Sequence, residues 1–279
     1  MKKVSNEDRG NLRKLQLTEL DILKQIVKIC DENSLTYYIS GGTFLGAVRH
    51  KGFIPWDDDI DIAMPRTSYE KFADLADEKL PKKYKYINFK NDKTAKICFA
   101  RVENSEVKVK DTSALEADVR NAWVDIFPLD GMPKNKVKFT LRKYRLLYLR
   151  MLLQYSQFSK IVNQNLPNRP LHEKFLIQIG KIVPFEKILN TRKIMYKIDK
   201  ELKKYDENSE YIMNFLGIYK FRSVMNKRAI YGDGAKYKFE DSEFNAPANY
   251  DAYLTQIYGD YMKPPKKQHQ NKHHTEVIS

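Results

Sequence analysis

The chain has 279 residues, of which 42% are hydrophobic and 31% charged, and its formal net charge is +14. This composition allows one substantial hydrophobic core or two small ones, and it excludes a collagen-like or wholly disordered chain. The two cysteines, Cys30 and Cys98, lie among apolar residues, which argues against a disulfide scaffold or a zinc site and favours a reducing compartment. There is no apolar run of about eighteen residues and no signal peptide pattern, so we expect a cytoplasmic protein.

Helix and strand signals alternate in the first part of the chain. Apolar residues between Leu12 and Cys30 recur at intervals of three and four, which predicts an amphipathic helix. Residues 37–39 predict a strand that enters a Gly-Gly turn. Thr43 to Val48 then predicts a short helix that follows the glycines, so the free amides of its first turn would face an anion.

Ile54 to Met64 is predicted as a strand that carries several carboxylates. Successive side chains of a strand point to opposite faces, so Asp59 and Asp61 would share one face and Asp58 would take the other. Two such carboxylates repel each other unless one is protonated or a cation lies between them. Hard oxygen ligands suit Mg²⁺ or Mn²⁺. The strand therefore predicts a divalent-metal platform, with Asp57 either supporting the metal ligands from behind or binding the substrate.

The remaining elements predict an α+β fold. Helical spacing or strand composition marks Ser68–Lys79 and 186–205 as helices, 84–88, 95–102 and 123–127 as strands, and Tyr250–Tyr258 as a last helix. We expect a mixed sheet with flanking helices over residues 1–131, a mainly helical, basic region packed on it over 132–265, and a mobile basic tail over 266–279.

The segment between Asp130 and Glu173 contains no acidic residue, and its lysines and arginines are interleaved with apolar side chains. Two interpretations remain open. It is either a basic helix packed on the core with its charges in water, or a surface that lies on the anionic headgroups of a membrane. The second interpretation would make the protein peripheral on the cytoplasmic face of a membrane.

Four further residues complete the predicted phosphate and metal chemistry. Asp125 lies between Val124 and Ile126 in a strand and is the third carboxylate, which completes the metal site or accepts a proton from a hydroxyl. Gly41 and Gly42 allow the backbone to approach a phosphate closely, and Thr43 adds a hydroxyl donor.

Cations are predicted to bind the substrate beside these carboxylates. Arg49, Lys51 and Arg66 would clamp phosphate oxygens, and a guanidinium is the better bidentate partner. Arg101 follows an apolar stretch and would either reach a nucleotide or form an ordinary surface ion pair.

Three blocks of the sequence resemble the LicD family. They are residues 41–62, residues 123–131 and residues 258–265, and they occur in the family's order. The resemblance implies a nucleotidyltransferase-like fold, shared distantly with fukutin-related sugar phosphotransferases. It also implies transfer of phosphocholine from CDP-choline to a bacterial surface glycan precursor.

Residues and resemblance together predict a Mg²⁺- or Mn²⁺-dependent phosphotransferase with Asp59, Asp61 and Asp125 as catalytic and metal-binding residues. A sugar hydroxyl of a lipid-linked glycan, of the teichoic acid or lipopolysaccharide type, would attack the phosphorus that carries choline, and CMP would leave. One alternative is transfer of another phospho-alcohol or of a nucleotide to a sugar. A distant alternative is a non-catalytic, basic RNA-binding protein, which the lack of an aromatic and glycine RNA-binding signature disfavours.

Overall fold

The computed structural model describes residues 6–111, 118–161, 170–266, 270 and 275–278. The helices in these residues are α1 (Asn6–Glu32), α2 (Gly41–His50), α3 (Arg66–Lys79), α4 (Lys136–Tyr155), α5 (Phe158–Ile161), α6 (Leu171–Ile182), α7 (Phe185–Ile188), α8 (Thr191–Leu202) and α9 (Tyr250–Tyr258). The strands are β1 (Tyr38–Ile39), β2 (Asp61–Pro65), β3 (Tyr84–Ile87), β4 (Ala100–Asp111), β5 (Asp118–Met132), β6 (Tyr211–Met213), β7 (Met225–Asn226), β8 (Ala235–Phe239), β9 (Ser242–Ala246) and β10 (Thr275–Val277). A 3₁₀-helix (Lys220–Ser223) and a π-helix (Lys227–Tyr231) lie between β6 and β8.

An eight-stranded mixed sheet organises the fold. Its main path is β1-β2-β5-β4-β10, β3 pairs with β4, and β6 and β7 continue from β5. Strands β2 and β5 run parallel, and their register sets Asp61 opposite Asp125. The α+β fold class predicted from the sequence is therefore confirmed.

The main hydrophobic core lies between the sheet and helices from both ends of the chain. The apolar face of α1 buries Leu15, Ile22, Leu23 and Ile26 completely, as its three- and four-residue spacing predicts. The same core cluster as Ile22, Leu23 and Ile26 contains residues of α2, α3, β9 and α9. A second cluster lies beneath α4 and α8. The C-terminal part thus completes the sheet and the core that the N-terminal part begins.

Several element boundaries differ from the sequence prediction. The strand predicted from Ile54 begins only at Asp61, where its pairing with Asp125 of β5 starts. The strand predicted over residues 95–102 begins at Ala100 and runs to Asp111. The helix predicted over residues 186–205 is divided into α7 and α8.

The predicted mobile tail also differs in part. Residues 275–277 form β10, which pairs with the end of β4. Residues 267–269, 271–274 and 279 of this tail lie outside the described residues. Among the residues that are described, no helix is both long and apolar enough to cross a bilayer.

Candidate phosphate and metal site

An acidic loop of residues 57–59 precedes strand β2. A turn sets it off, since the N–H of Asp57 donates to the carbonyl of Ile54 at 2.9 Å. One carboxylate oxygen from each of Asp57, Asp58 and Asp59 lies within 4.8 Å of the other two. The prediction that Asp58 points away from its neighbours is wrong, because these residues are not in a strand and the alternation of faces does not apply.

Asp61 and Asp125 start the paired region of two adjacent parallel strands. They are register partners in β2 and β5, as the predicted metal platform requires. The N–H of Asp61 donates to Thr43 Oγ1 at 2.9 Å, which ties the carboxylate strand to α2. Burial, followed by the negative charges of Asp59 and Asp125, raises the pKa of the Asp61 carboxyl well above its usual range.

Arg101 forms an ion pair with Asp125, but the pair is largely buried, whereas the predicted alternative was an ordinary ion pair on the surface. Its Nε donates to Asp125 Oδ1 at 2.6 Å and its Nη2 to Oδ2 at 3.4 Å. The guanidinium also lies over the ring of Trp123, 4.7 Å from the ring centre. Burial raises the pKa of Asp125, and Arg101 opposes that rise. Arg101 therefore orients Asp125 and offsets its charge.

The two glycines allow α2 to begin in contact with the acidic residues. Gly41 has φ +56°, a conformation that side chains disfavour, and a Cβ there would lie 3.2 Å from Asp61 Oδ2. A Cβ on Gly42 would lie 2.7 Å from Asp57 Oδ2. The N–H of Gly41 donates to the hydroxyl of Tyr253 at 3.3 Å. The sequence predicted that the two glycines form a turn before the helix. In the structure they are instead the first two residues of α2.

A cavity of about 410 Å³ opens beside the acidic loop. Asp57, Asp59, Asp61, Gly42 and Arg49 line it. Arg49 is held in place because its Nη1 donates to the carbonyl of Tyr261 at 2.8 Å. The remaining lining residues are largely aromatic or apolar and come mostly from the C-terminal half: Leu45, Ile54, Trp56, Ile218, Tyr219, Tyr258, Asp260, Tyr261, Lys263 and Pro265.

Burial and like charge also act on Asp57. Burial raises the pKa of its carboxyl to about 7, with a further contribution from Asp58, while Arg49 opposes the rise.

Sequence reasoning did not single out Tyr219, whose ring meets that of Tyr258 edge-on at 5.5 Å. Nothing in the sequence near Tyr219 marks it, since the contact joins two distant segments.

Two of the predicted phosphate-binding cations lie away from the cavity lining. Arg66 donates from Nε and Nη2 to the two oxygens of Asp130, at 2.7 and 2.8 Å, and from Nη1 to Asp199 at 3.0 Å. Its donors are thus committed to a buried ion-pair cluster, which does not fit the predicted phosphate clamp. Asp130, the partner of Arg66, is a buried residue of β5. Lys51 is exposed and ends α2.

Glu19 of α1 is a further acidic residue of this region that sequence reasoning missed. It is fully buried, and neither of its carboxylate oxygens has a hydrogen-bond partner in the described structure. Burial and then the negative charges of Asp59, Asp58, Asp57 and Asp125 raise its pKa well above its usual range. The burial of Glu19 could have been predicted from its position, because it lies on the apolar face of α1, four residues after Leu15.

The donor set suits a hard divalent cation. All of the acidic groups offer oxygen, which Mg²⁺ and Mn²⁺ prefer, and the partly exposed carboxylates of Asp57, Asp58 and Asp59 lie within 4.8 Å of one another. A buried carboxylate without a partner, such as Glu19, is costly unless it is neutralised. The residues present therefore fit a metal ion.

The parallel aspartate strands, the glycine-started helix and the α+β sheet fit the class of nucleotidyltransferase-like folds. Comparison with known proteins supports this class. Residues 34–173 match the family model described as LicD/FKTN/FKRP, nucleotidyltransferase domain. The chain is 33% identical over 270 residues to the lipopolysaccharide cholinephosphotransferase LicD of Haemophilus influenzae, covering 94% of this chain and 96% of that protein. The chain therefore belongs to the LicD family.

Two rickettsial proteins are more partial relatives. The chain is 29% identical over 154 residues to the uncharacterized protein RT0683 of Rickettsia typhi, covering 54% of this chain and 46% of that protein. It is 43% identical over 51 residues to the uncharacterized protein RP689 of Rickettsia prowazekii, covering 18% and 19%. Neither has a described activity, so they extend the similarity without informing the function.

Proposed function

We propose that this protein is a phosphotransferase that moves phosphocholine from CDP-choline to a sugar hydroxyl of a lipid-linked surface glycan of the lipopolysaccharide type. The observation that carries the proposal is the 33% identity to a lipopolysaccharide cholinephosphotransferase, which extends over nearly the whole of both chains. The hydroxyl oxygen forms the new bond to the phosphorus of phosphocholine and its proton passes to solvent. The bond from that phosphorus to the bridging oxygen of the pyrophosphate breaks, so CMP leaves with that oxygen.

Magnesium, or manganese in its place, is the proposed cofactor, held by Asp59, Asp61 and Asp125. A divalent ion bound there would supply charge neutralisation for the pyrophosphate of the donor. The parallel register of β2 and β5 supports this assignment, because it brings Asp61 and Asp125 side by side. Holding a metal suits Asp125 better than accepting a proton, since Arg101 already donates to both of its oxygens.

Residues of the cavity are suited to bind the two ends of the donor. The guanidinium of Arg49 offers a positive charge for a phosphate beside the acidic loop. Trp56, Tyr219 and Tyr258 provide an aromatic lining, and aromatic faces attract quaternary ammonium groups such as that of choline. This lining favours choline over glycerol or ribitol as the alcohol of the donor.

A comparison of nucleotide donors, each supplied separately, tests the proposal. The full chain is incubated with Mg²⁺, a surface glycan acceptor and one of CDP-choline, CDP-glycerol, CDP-ribitol or CTP, and release of CMP or pyrophosphate is measured. We expect CMP release with CDP-choline, and none from an Asp61→Asn variant. Turnover with a different donor would select the first alternative. Absence of turnover with every donor, together with RNA binding that survives Asp61→Asn, would select the RNA-binding alternative.

We further propose that α4 contacts an anionic membrane surface. Val137, Leu141, Tyr144 and Tyr148 are exposed and lie three or four residues apart, so they form one apolar stripe on the outside of the helix. Arg142, in contrast, is buried and donates to the carbonyl of Leu202 at 2.8 Å, so it does not belong to that surface. Lipid-linked acceptors would be reached from such a position.

Vesicle flotation tests the membrane proposal. A Leu141→Gln, Tyr144→Gln double variant should float less with phosphatidylglycerol vesicles than the wild-type protein. A matched control is Tyr196→Gln, which alters a half-exposed tyrosine of α8 instead. Equal flotation of wild type and double variant would refute the contact.

A further inference from the structure

A second cavity, of about 520 Å³, shares no lining residue with the cavity beside the acidic loop. Its volume lies within the range of small-molecule binding sites in proteins. The loop of residues 88–99, which joins β3 to β4, supplies part of its lining. The rest comes from the end of α4, from α5 and α7, and from the start of α8. The residues assigned above to metal and donor binding give this cavity no role.

Hydrogen bonds fix the loop of residues 88–99 to the helical part of the lining at two points. Arg192 of α8 donates from Nη2 to the carbonyl of Lys90 at 2.9 Å and from Nη1 to that of Asp92 at 3.5 Å. Gln157 donates from Nε2 to the carbonyl of Lys96 at 3.2 Å. The cavity is therefore built by contacts between its walls, as a preformed binding site requires.

The two carboxylates of the lining are bound by neutral groups rather than by cations. Asp92 Oδ1 accepts from the N–H and from the hydroxyl of Thr94, each at 2.7 Å. The carboxylate of Glu186 accepts from the N–H of Ser159 at 2.8 Å and from its hydroxyl at 2.9 and 3.0 Å. Within the described parts of the chain, neither carboxylate forms an ion pair.

Positive side chains outnumber these carboxylates in the lining, which contains Lys93, Lys96, Lys160 and Arg192. Lys93 and Lys160 are exposed. Among the described residues, no carboxylate forms an ion pair with either lysine or with Arg192. The cavity therefore has an excess of positive charge, which suits an anion such as a phosphate group.

Neutral polar groups of the lining indicate what carries the anion. Thr94, Ser156, Gln157 and Thr191 offer hydroxyl and amide groups, which can both donate to and accept from the hydroxyls of a sugar. Gln157 is only 6% exposed, and its Oε1 has no partner among the described residues. Phe89, the one aromatic residue of the described lining, is 3% exposed and so has no free face for a nucleobase. A sugar therefore fits the lining better than a nucleotide.

The position of the cavity relates it to the transfer reaction. The loop of residues 88–99 leads into β4, where Arg101 pairs with Asp125. Lys96 precedes Arg101 by five positions, and an extended chain spans at most about 3.6 Å per residue, so their Cα atoms are at most about 18 Å apart. A glycan of a few sugar units can span such a distance.

We infer that this second cavity binds a phosphorylated sugar of the glycan acceptor, apart from the hydroxyl that receives phosphocholine. Lys93 and Lys160 would donate to the phosphate, and Gln157 would bond to a sugar hydroxyl. The inference rests on the proposed transfer to a glycan, and it adds an anionic group to the features by which the acceptor is recognised.

Calorimetric titration of the full chain with glucose 6-phosphate tests the inference. EDTA is present and nucleotide absent, so that a metal in the acidic site does not bind the phosphate. We expect glucose 6-phosphate to bind more tightly than either glucose or inorganic phosphate. In a Lys93→Gln, Lys160→Gln double variant its Kd should rise about 10-fold or more, because two charge-assisted hydrogen bonds are lost.

A Lys236→Gln, Lys238→Gln double variant is the matched control. It removes the same charge from two exposed lysines of β8 that line neither cavity, and it should leave the Kd unchanged. The inference is wrong if glucose 6-phosphate does not bind, if both double variants bind it equally well, or if inorganic phosphate binds as tightly. Circular dichroism establishes that each variant is folded.

CMP release from CDP-choline separates this inference from the proposed function. A phosphorylated glycan acceptor is compared with the same glycan after phosphatase treatment. We expect wild type to have the lower KM for the phosphorylated form, and the Lys93→Gln, Lys160→Gln variant to lose this preference. Turnover with equal KM for both forms would overturn the inference and leave the proposed function standing. If no CDP-alcohol is turned over but glucose 6-phosphate binds through the two lysines, the cavity's ligand class is correct and the proposed function is wrong.

Discussion

Two clusters of carboxylates in this protein differ in how their charges are balanced. Asp130 and Asp199 share the guanidinium of Arg66, and Asp199 is also paired with Lys90 at 3.3 Å and Lys203 at 3.2 Å. In the acidic site, the ion pair of Arg101 with Asp125 faces a larger group of carboxylates on the loop, on β2 and on α1. The first cluster is electrostatically complete and joins α3, β5 and α8, whereas the second is suited to take up a cation.

The largest expected difference is in catalysis. Asp61→Asn should lower kcat for CMP release by about 10³-fold or more, since loss of metal-based charge stabilisation costs several kcal/mol in the transition state. Its Tm in metal-free buffer should match or exceed that of wild type, because burial and then the negative charges of Asp59 and Asp125 disfavour the charged carboxylate that the change removes. A folded Asp61→Asn variant with wild-type turnover would contradict the assignment of this cluster to catalysis.

The balanced cluster should respond in stability instead. Arg66→Met leaves the buried Asp130 without its bidentate partner, and loss of one member of a buried pair costs about 3–5 kcal/mol. Urea denaturation measures this loss. The control is Lys134→Met, which breaks the exposed pair with Glu210 and should change the denaturation midpoint little.

The pH dependence of stability sharpens the comparison further. Burial alone would raise the pKa of Asp199, but Arg66, Lys90 and Lys203 outweigh it and hold that pKa below its usual value. A folded-state pKa below the unfolded value of about 3.9 means that the stabilisation is present above that pH and is lost as the pH falls through the folded pKa.

Urea denaturation between pH 6 and pH 3 measures this loss, as about 1.4 kcal/mol corresponds to each unit of pKa difference. Asp199→Asn should show a flatter decline below about pH 4 than wild type. If the free energy of unfolding falls with pH in parallel for the two proteins, Asp199 does not contribute to the pH dependence of stability.

The smallest expected effect concerns donor choice. Tyr219→Leu should raise KM for CDP-choline by roughly fivefold, as a cation–aromatic contact is worth about 1 kcal/mol. The KM for CDP-glycerol, where the variant accepts it, should change less because glycerol carries no positive charge. Equal changes for both donors would indicate that Tyr219 shapes the cavity without recognising the ammonium group.

Local patterns in the sequence predicted much of the fold. The apolar spacing predicted α9 to the residue and α3 to within two residues, whereas α1 begins at Asn6, six residues before the predicted Leu12. The lone Asp125 between two apolar residues was correctly assigned to a strand. These helices and this strand were predictable because the spacing of apolar residues along each element shows which of its faces is buried.

Contacts between residues far apart in the chain explain several features that could not be predicted from the sequence. Arg66 meets Asp199, which is 133 residues further along the chain, so its ion pair leaves no local pattern. The side chain of Asp58 was placed by strand alternation. Asp58 lies in the loop before β2, however, where that alternation does not apply. Glu19 was overlooked because a single glutamate in an amphipathic helix normally faces water.

The hydrogen bond from Gly41 to the hydroxyl of Tyr253 links the start of α2 to a helix more than two hundred residues later. Any shortened version that stops before Tyr250 would retain each of the aspartates and both glycines, yet it would lack the phenol that anchors them. The N-terminal segment is accordingly a poor candidate for use as an independent minimal enzyme. Engineering of this chain should preserve α9 even where only the aspartate chemistry is of interest.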